Sequence, residues 1–380
     1  MNNKKEIKVH NKSDKPSNIL LKEHETIEKC LAIQKELPSF LNGFFTYLKG
    51  SVLPMTRLAY LQDIKFFLEY LIQETDLTEA SIPREITLDE FQQIKAVDVN
   101  IFLDYCRRYK KETEDSIVVY ENANKSLARK KASLSVMFKN LYRDELLKMN
   151  ITDAFDPIKL PKAGEREIKA LQDDEVMRML DAVTNGTHLT NKQREYWEKT
   201  KKRDKAILIL FLTYGLRLSE LQQLNISSIN FNRGEIIIYR KRGKESVMPL
   251  NHTTEKALTA YINEERYNDE SIPEEHRDAL FLSLQRKRMT ERQIREMVKK
   301  YTAIGLSTSQ ESGYSPHKLR ATAATSLIGR GNSIYDVQAL LDHENVTTTQ
   351  LYAAHRKNVK RDLVKSFEWD DDFSDPKKNK

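Results

Sequence analysis

A break in the helical pattern near residue 160 divides this chain into two halves. In the segment DAFDPIKLPKAGEREIKAL, Pro157, Pro161 and Gly164 fall within eight residues. Proline cannot continue a helix, because it lacks the amide hydrogen and its ring crowds the preceding turn, so this segment predicts an interdomain linker. Only Gly43 and Gly50 precede the linker, whereas eight of the eleven glycines follow it. The two halves are therefore expected to fold as different kinds of domain.

The half before the break has the periodicity of a helical bundle. Apolar residues recur at steps of three and four residues, which places them on one face of a helix: Leu58, Leu61, Ile64, Phe67, Leu68 and Leu71. Asp98 is expected to cap a second helix. A third helix covers residues 126–147, and its inward residues are expected to be Leu127, Leu134, Met137, Phe138 and Leu141.

This third helix is strongly basic between Ser126 and Arg143, where no acidic residue occurs. Its cations are Arg129, Lys130, Lys131, Lys139 and Arg143. A run of charge of this kind is either a solvated helix face or a helix laid along a phosphate backbone, where each cation releases counterions on binding. Both interpretations remain open from the sequence.

The half after the break predicts mainly helix with a small antiparallel sheet. Two short apolar runs, 236–239 and 247–250, flank the segment RKRGKES, and Gly243 lies near the expected turn. This arrangement is typical of a β-hairpin. A polar insertion covers residues 184–202, and the rest of this half has helical periodicity.

Composition excludes several classes of protein. The longest strongly apolar stretch, Ala206 to Tyr214, is half the length that a membrane helix requires, and the polar N-terminus lacks the apolar core of a signal peptide. Two cysteines, Cys30 and Cys106, cannot supply a disulfide framework or a cysteine-rich zinc site, which fits a reducing cytoplasm. The net charge of +7 is a mild bias toward polyanions. The nucleotide-binding patterns GxxxxGK[ST] and GxGxxG and the zinc-protease pattern HExxH do not occur.

Six polar residues in four separate segments form the candidate site. They are Arg217, Lys241, His317, Arg320, His343 and Tyr352. Each alone has an ordinary explanation, such as an ion pair between Arg217 and Glu220. Together they are what phosphodiester transesterification needs when no metal takes part. Arginine forks neutralise phosphate oxygens, a tyrosine hydroxyl can act as covalent nucleophile, and a lysine can protonate the leaving oxygen.

These segments resemble the tyrosine recombinase (phage integrase) family, whose signature is Arg…Lys…His-x-x-Arg…His…Tyr. All six positions are filled in the family's order, within HKLR, LLDH and TTTQLY among other segments, and the resemblance covers residues 36–366. It implies a mainly α two-domain DNA clamp. The implied domains are a polar N-terminal extension at 1–35, a helical core-binding domain at 36–155, a linker at 156–169, a catalytic domain at 170–369 and a polar tail at 370–380.

The resemblance also implies the chemistry. Tyr352 would attack a scissile phosphate and form a 3′-phosphotyrosyl link, with His317 as general base or orienting partner. Arg217, Arg320 and His343 would hold the phosphate oxygens, Lys241 would act as general acid, and Glu220 would orient the site, without any cofactor or metal. Lys244 remains an alternative to Lys241, because the hairpin offers the basic residues Arg240, Lys241, Arg242 and Lys244. Two positions depart from the family: Ala321 stands where many members have histidine, and Asp342 where glycine is usual.

The layout resembles the Xer type that resolves chromosome dimers during cell division, and within it the single-recombinase XerS-like branch. This implies a cytoplasmic homotetramer on two DNA sites, with a septal DNA translocase as a further partner. The apolar segment RDLVKSFEW, residues 361–369, would pack on a neighbouring protomer or on its own domain. The alternatives are an integrase or resolvase of a mobile element, a type IB topoisomerase and a non-catalytic DNA-binding protein.

Overall fold

The computed structural model of the chain divides into two compact units, Met1–Pro161 and Lys162–Lys380. The residues that the structure describes are 15–113, 116–160, 168–240, 243–268 and 270–342. None of the helices in these ranges is both long enough and apolar enough to cross a bilayer.

The first unit is built from helices that pack through their apolar faces. Its described helices are α1 Ser17–Lys35, α2 Asn42–Ser51, α3 Pro54–Glu74, α4 Leu88–Phe91, α5 Ala96–Tyr105 and α6 Asn124–Arg143. Helix α3 packs against α1 and α6. The inward residues predicted for α6 are all buried, and so are those predicted for α3 except Leu58, which is half-buried. The helical periodicity therefore predicted both faces correctly.

A β-hairpin follows α5, although the sequence pattern predicts only helices in this half. Strands β1 Arg108–Thr113 and β2 Ser116–Glu121 pair antiparallel, and the rings of Tyr109 and Tyr120 stack with centroids 5.0 Å apart. The run Ile-Val-Val-Tyr in β2 favours a strand, because β-branched and aromatic residues fit a pleated surface. Every residue of β2 is exposed. Among the side chains of β1 that the structure describes, only Tyr109 is half-buried, against Phe66, so the hairpin leaves no clear alternation of buried apolar and exposed polar residues by which it could be recognised.

Helix α5 begins at Ala96, and Asp98 does not cap it from outside as the sequence predicts. Asp98 is instead the third helical residue, and its carboxylate accepts a hydrogen bond from the backbone amide of Lys95 at 2.7 Å. A carboxylate in the first turn satisfies a free amide and interacts favourably with the positive end of the helix. Asp98 therefore stabilises the helix start from inside the first turn.

The second unit combines helices with one small sheet. Its described helices are α7 Asp173–Asn185, α8 Asn191–Glu198, α9 Lys201–Tyr214, α10 Leu218–Gln222, α11 His252–Glu264, α12 Glu291–Gly305, α13 Pro316–Gly329 and α14 Ile334–Leu341. Helix α9 carries the long apolar run of the sequence and packs against α7, α11 and α13. Its residues from Ala206 to Phe211 are buried, so α9 forms the centre of this unit.

The sheet contains the hairpin that the sequence predicts. Strands β3 Ile229–Asn230, β4 Glu235–Tyr239 and β5 Glu245–Pro249 are antiparallel in the order β3-β4-β5. Ile236 and Ile238 of β4 point into the core, as expected for alternate residues of a strand with one buried face. The inward side chains of β4 therefore anchor this strand, up to the start of the basic tip, to the apolar core of the unit.

The polar insertion at 184–202 contains helix α8 and is packed against the unit. The indole nitrogen of Trp197 donates to the carbonyl of Val183 at 2.8 Å, and the ring lies over Gly186. Gly186 ends α7 with φ of +71°, a conformation that glycine adopts without steric cost. The insertion is therefore anchored by a buried aromatic side chain.

Candidate active site

Arg217 lies in the short connection between α9 and α10. Helix α9 ends at Gly215, whose φ of +55° is in the left-handed region that favours glycine. A Cβ atom at Gly215 would also lie 2.4 Å from Cδ2 of Leu341, a buried residue of α14. Glycine at this position therefore allows both the turn that presents Arg217 and the close approach of α14.

Glu220 orients Arg217 from within α10. Its carboxylate accepts hydrogen bonds from the backbone amide of Arg217, at 2.7 Å to Oε2, and from Arg217 Nη1, at 2.7 Å to Oε1. The Glu220 side chain is 3% exposed, whereas that of Arg217 is 33% exposed. A charge-assisted hydrogen bond thus fixes Nη1 of the guanidinium, while part of the Arg217 side chain stays accessible to a ligand.

Arg320 connects three segments of the second unit. It lies in helix α13, which begins at Pro316, and the fixed φ of proline suits the first position of a helix. Arg320 is 3% exposed, and it donates from Nη1 to the carbonyl of Gly215 at 2.6 Å and from Nη2 to that of Leu341 at 2.5 Å. The turn before Arg217 and the end of α14 are therefore held by the same side chain.

Three arginines converge on the C-terminal end of α14. The last carbonyls of a helix have no partner within it, and they carry the negative end of the helix dipole. Three successive carbonyls each accept from a different guanidinium: Leu340 from Arg240 at 3.0 Å, Leu341 from Arg320 at 2.5 Å and Asp342 from Arg217 at 3.3 Å. The chain continues from this end directly into His343.

Arg240 is the site residue to which the sequence pattern assigned no role. Its side chain is 0% exposed, and Nη1 donates to Glu220 Oε2 at 2.9 Å. The alternation of β4 is the signal that could have found it, because residue 240 continues the inward face of Ile236 and Ile238. An arginine at an inward position needs an acidic partner, and Glu220 supplies it.

Asp342 follows α14 in the left-handed conformation, with φ of 49°. This is the position at which the family usually has glycine, and aspartate is among the few other residues that visit this conformation routinely. Its carboxylate lies 3.0 Å from Nζ of Lys244. The hydrogen bond from Lys244 lowers the pKa of Asp342, and the charges of Arg240 and Arg217 act in the same direction. Asp342 thus adopts the backbone conformation that the turn requires, and its carboxylate binds Lys244 of the hairpin.

The structure brings together only part of the predicted catalytic set. Predicted residues outside the described chain are Lys241, His343 and Tyr352. His317 is exposed on the first turn of α13, one turn before the buried Arg320. Lys244, the alternative general acid, has a side chain that is 68% exposed. Arg217, Glu220 and Arg320 are the predicted residues that the structure joins through shared contacts.

The described part of the site carries more positive than negative charge. Its cations are Arg217, Arg240, Arg320 and Lys244, and its anions are Glu220 and Asp342. Partly buried guanidinium groups favour an anion with several oxygens, because their planar forks match phosphate geometry. The arrangement is suited to bind and polarise a phosphodiester. Among the residues that the structure describes, no group of three or more His, Cys, Asp and Glu side chains could hold a metal ion.

The basic residues of α6 lie in unlike environments. Lys130 is buried, and its ammonium lies 3.2 Å from Oδ1 of Asp63, which also pairs with Arg129. Lys131 donates to the carbonyl of Asp156 at 2.8 Å. The exposed basic residues of α6 within the predicted set are Arg129, Lys139 and Arg143. Lys130 therefore neutralises a buried carboxylate, and DNA binding by the set stays a prediction.

Comparison with known proteins identifies relatives that cover most of this chain. The model of the phage integrase family matches residues 169–359, a range that includes all six predicted catalytic positions. The tyrosine recombinase XerC of Caldanaerobacter subterraneus subsp. tengcongensis is 31% identical over 326 residues, which cover 83% of this chain and 82% of that protein. The tyrosine recombinase XerD of Bifidobacterium longum is 33% identical over 249 residues, covering 64% of this chain and 76% of that protein.

Solved structures with the same fold have low sequence identity to this chain. The XerH site-specific recombinase in a post-cleavage complex with its palindromic difH substrate has a TM-score of 0.60 at 17% identity, and the match covers 92% of this chain and 90% of that one. A lambda integrase dimer bound to a core site has a TM-score of 0.55 at 15% identity, with coverage of 84% and 95%. At these identities the likeness establishes the fold.

We expect Gly215→Ala to destabilise the second unit by about 2 kcal/mol more than Gly234→Ala. Both glycines have positive φ, so both substitutions incur a similar backbone cost. Only at Gly215 does the new methyl group meet a buried side chain, because the space around Gly234 is open. Urea unfolding of the two variants measures the difference. Equal losses of unfolding free energy would show that the close contact between α14 and this turn adds no cost.

We expect Asp63→Asn to lower the unfolding free energy of the first unit by about 3 kcal/mol, because it leaves the Lys130 ammonium buried without a charged partner. Glu69→Gln on the same helix is the matched control. Glu69 makes a partly exposed pair with Lys65 at 3.6 Å, of a kind worth about 1 kcal/mol or less. The measurement is urea denaturation, and a loss no larger than that of the control would mean that Lys130 does not depend on Asp63.

Proposed function

Because this chain belongs to the phage integrase family and is a Xer-type tyrosine recombinase, we propose that it cuts and rejoins DNA through Tyr352 and resolves chromosome dimers. Site-specific recombination by a tyrosine mechanism is the activity of the family. The observation that best supports the residue roles is the convergence of Arg217 and Arg320 on the end of α14. That end, at Asp342, directly precedes His343 and lies ten residues before Tyr352 along the chain.

In the proposed reaction the oxygen of Tyr352 attacks the scissile phosphorus, and the bond from phosphorus to the 5′ oxygen breaks. His317 accepts the phenolic proton, since a free tyrosine has a pKa of ~10 and ionises poorly without help. Lys241 donates a proton to the leaving 5′ oxygen. The products are a 3′-phosphotyrosyl link and a 5′-hydroxyl. The link conserves the energy of the broken bond, so a 5′-hydroxyl from a partner duplex can reverse the step and join the strands.

Arg217, Arg320 and His343 hold the non-bridging oxygens of the phosphate in this proposal. A guanidinium group carries five N–H donors, so Arg217 can keep its bond to Glu220 and still donate to a ligand from its exposed edge. Because the guanidinium groups of Arg217 and Arg320 are held by hydrogen bonds before DNA binds, they need little rearrangement as charge develops in the transition state. Arg129, Lys139 and Arg143 of α6 are proposed to bind backbone phosphates.

The biological assignment is to the cytoplasm, with four protomers acting on two DNA sites and a septal DNA translocase as partner. The relatives XerC and XerD are tyrosine recombinases, and the chromosomal role is consistent with this likeness to the Xer type. Within the Xer type, the insertion at 184–202 favours the XerS-like branch. An integrase of a mobile element is the second candidate, since the Tn1549 transposon integrase shares the fold with a TM-score of 0.56 at 20% identity, covering 88% of this chain and 98% of that one.

Trapping covalent protein–DNA adducts in the native host separates these two functions. Sequencing of the attached DNA is expected to locate the adducts at one chromosomal locus opposite the replication origin. Enrichment at the ends of a mobile element would replace the chromosomal role with integration, and the chemistry would be the same. The recovered sequence also identifies the cleavage position for experiments in vitro.

Tyr352→Phe is expected to abolish covalent attachment to DNA, because only the hydroxyl oxygen is lost and no other nucleophile replaces it. Binding of the same DNA should be unchanged. Tyr335→Phe on α14, where the side chain is 70% exposed, is the matched control and should form adducts at the parental rate. Denaturing gel electrophoresis of a labelled duplex measures attachment, and adducts in the Tyr352 variant would refute the assignment of the nucleophile.

The general acid can be assigned with a substrate whose leaving group needs no proton. A 5′-bridging phosphorothiolate at the scissile position leaves as a thiolate, which is stable without protonation at neutral pH. Lys241→Ala should therefore cleave the ordinary phosphodiester about 100-fold more slowly than the parental protein and the phosphorothiolate at nearly the parental rate. If Lys244→Ala shows this rescue instead, Lys244 is the acid and its pair with Asp342 must open during the reaction.

A further inference from the structure

We propose that Arg240 is a positioning residue for strand cleavage, which keeps Arg217 available to the scissile phosphate by sharing the carboxylate of Glu220. The same side chain fixes the end of α14 against the hairpin. This inference rests on the proposed role of Arg217 as a ligand of the phosphate.

Arg240 contacts three segments of the site from a fully buried position. Its Nη1 donates to Glu220 Oε2 at 2.9 Å in α10, and its Nη2 donates to the carbonyl of Leu340 at 3.0 Å in α14. Nη2 also lies 3.5 Å from the sulfur of Met248 in β5. Arg240 is the last described residue before the tip at 241–242, which carries the predicted general acid. Its contacts therefore connect the group that orients Arg217 with the base of that tip.

Sharing Glu220 changes the charge that Arg217 presents. Glu220 Oε1 binds the Arg217 guanidinium, while Oε2 binds the Arg217 backbone amide and Arg240. One carboxylate between two guanidinium groups leaves a net positive charge. Without Arg240, Glu220 and Arg217 would form a neutral pair at close range, and the attraction of Arg217 for an anionic phosphate would fall.

An arginine at this position is not explained by packing alone. A third apolar residue after Ile236 and Ile238 would complete the inward face of the hairpin, and replacing buried ion pairs by apolar residues often leaves stability unchanged or higher. Lysine would retain the charge. Its single ammonium cannot reproduce a planar fork that donates in two directions, to Glu220 and to the carbonyl of Leu340. The contacts therefore require the geometry of arginine.

The test compares Arg240→Met and Arg240→Lys with Arg233→Met, which removes an exposed arginine from the turn before β4. The probe is a nicked duplex with the site recovered by adduct trapping, used at saturating protein in single-turnover cleavage. Arg240→Met is expected to cleave about 100-fold more slowly than the parental protein and Arg240→Lys about 10-fold more slowly. The Kd for DNA should change less than about threefold in both, and Arg233→Met should cleave at the parental rate.

A second duplex distinguishes positioning from a general loss of structure. It carries an uncharged methylphosphonate at the scissile position, where less positive charge is needed. The defect of each Arg240 variant should shrink there to less than about fivefold relative to the parental protein on the same duplex. Parental cleavage by the variants, or an equal defect on both duplexes, would overturn the role of Arg240. If Arg240→Met does not fold, the cleavage rates of Arg240→Lys on the two duplexes test the role of Arg240.

Measurements on the parental protein distinguish failure of this inference from failure of the proposed function. Normal adduct formation by the parental protein with no effect of Arg240 substitution refutes the positioning role alone. Failure of the parental protein to form adducts on the recovered site refutes the proposed function, and the inference about Arg240 falls with it.

Discussion

The catalytic unit depends on one buried carboxylate shared by two guanidinium groups. Glu220 is 3% exposed at its side chain and accepts hydrogen bonds from both Arg217 and Arg240. Burying three charged groups is costly unless each is paired and hydrogen-bonded, so the position of one determines the positions of the others. One excess positive charge remains, and Arg217 is the one of the two arginines that is accessible, with a side chain 33% exposed. In the proposed function this excess charge attracts the scissile phosphate to Arg217.

The C-terminal end of α14 is held by the same arginines together with Arg320. Helix carbonyls that lack partners are normally satisfied by water or by a capping residue. Here arginines from three different segments satisfy them, and this is possible only because Gly215 lets α14 approach closely. Asp342 then turns the chain in a left-handed conformation and binds Lys244. The helix end thus orients the arginines before DNA is present.

The sequence predicts features of this protein that repeat with a regular period. The faces of α3 and α6 and the hairpin of β4 and β5 follow from periods of 3.6 and 2. The hairpin of β1 and β2 has an exposed second strand and a half-buried Tyr109 in the first, and it was missed because it shows no clear alternation. Lys130 could not be distinguished from its basic neighbours, since its partner Asp63 is 67 residues away in the chain. The alternation of β4 indicates that Arg240 points inward, but the sequence does not indicate that Glu220 is its partner. Pairs of buried charges that lie far apart in the sequence can therefore be identified only from the structure.

The most direct measurement is a structure of the protein on its DNA site with vanadate bridging the oxygen of Tyr352 and the 5′ oxygen of the cleaved strand, in place of the pentavalent phosphorus. We expect Arg217 and Arg320 to donate to the equatorial oxygens, while Arg240 keeps its bonds to Glu220 and to the carbonyl of Leu340. A structure in which Arg240 itself contacts the vanadate would contradict this account of the site. So would a structure in which Arg217 has broken its hydrogen bonds to Glu220 and points away from the vanadate.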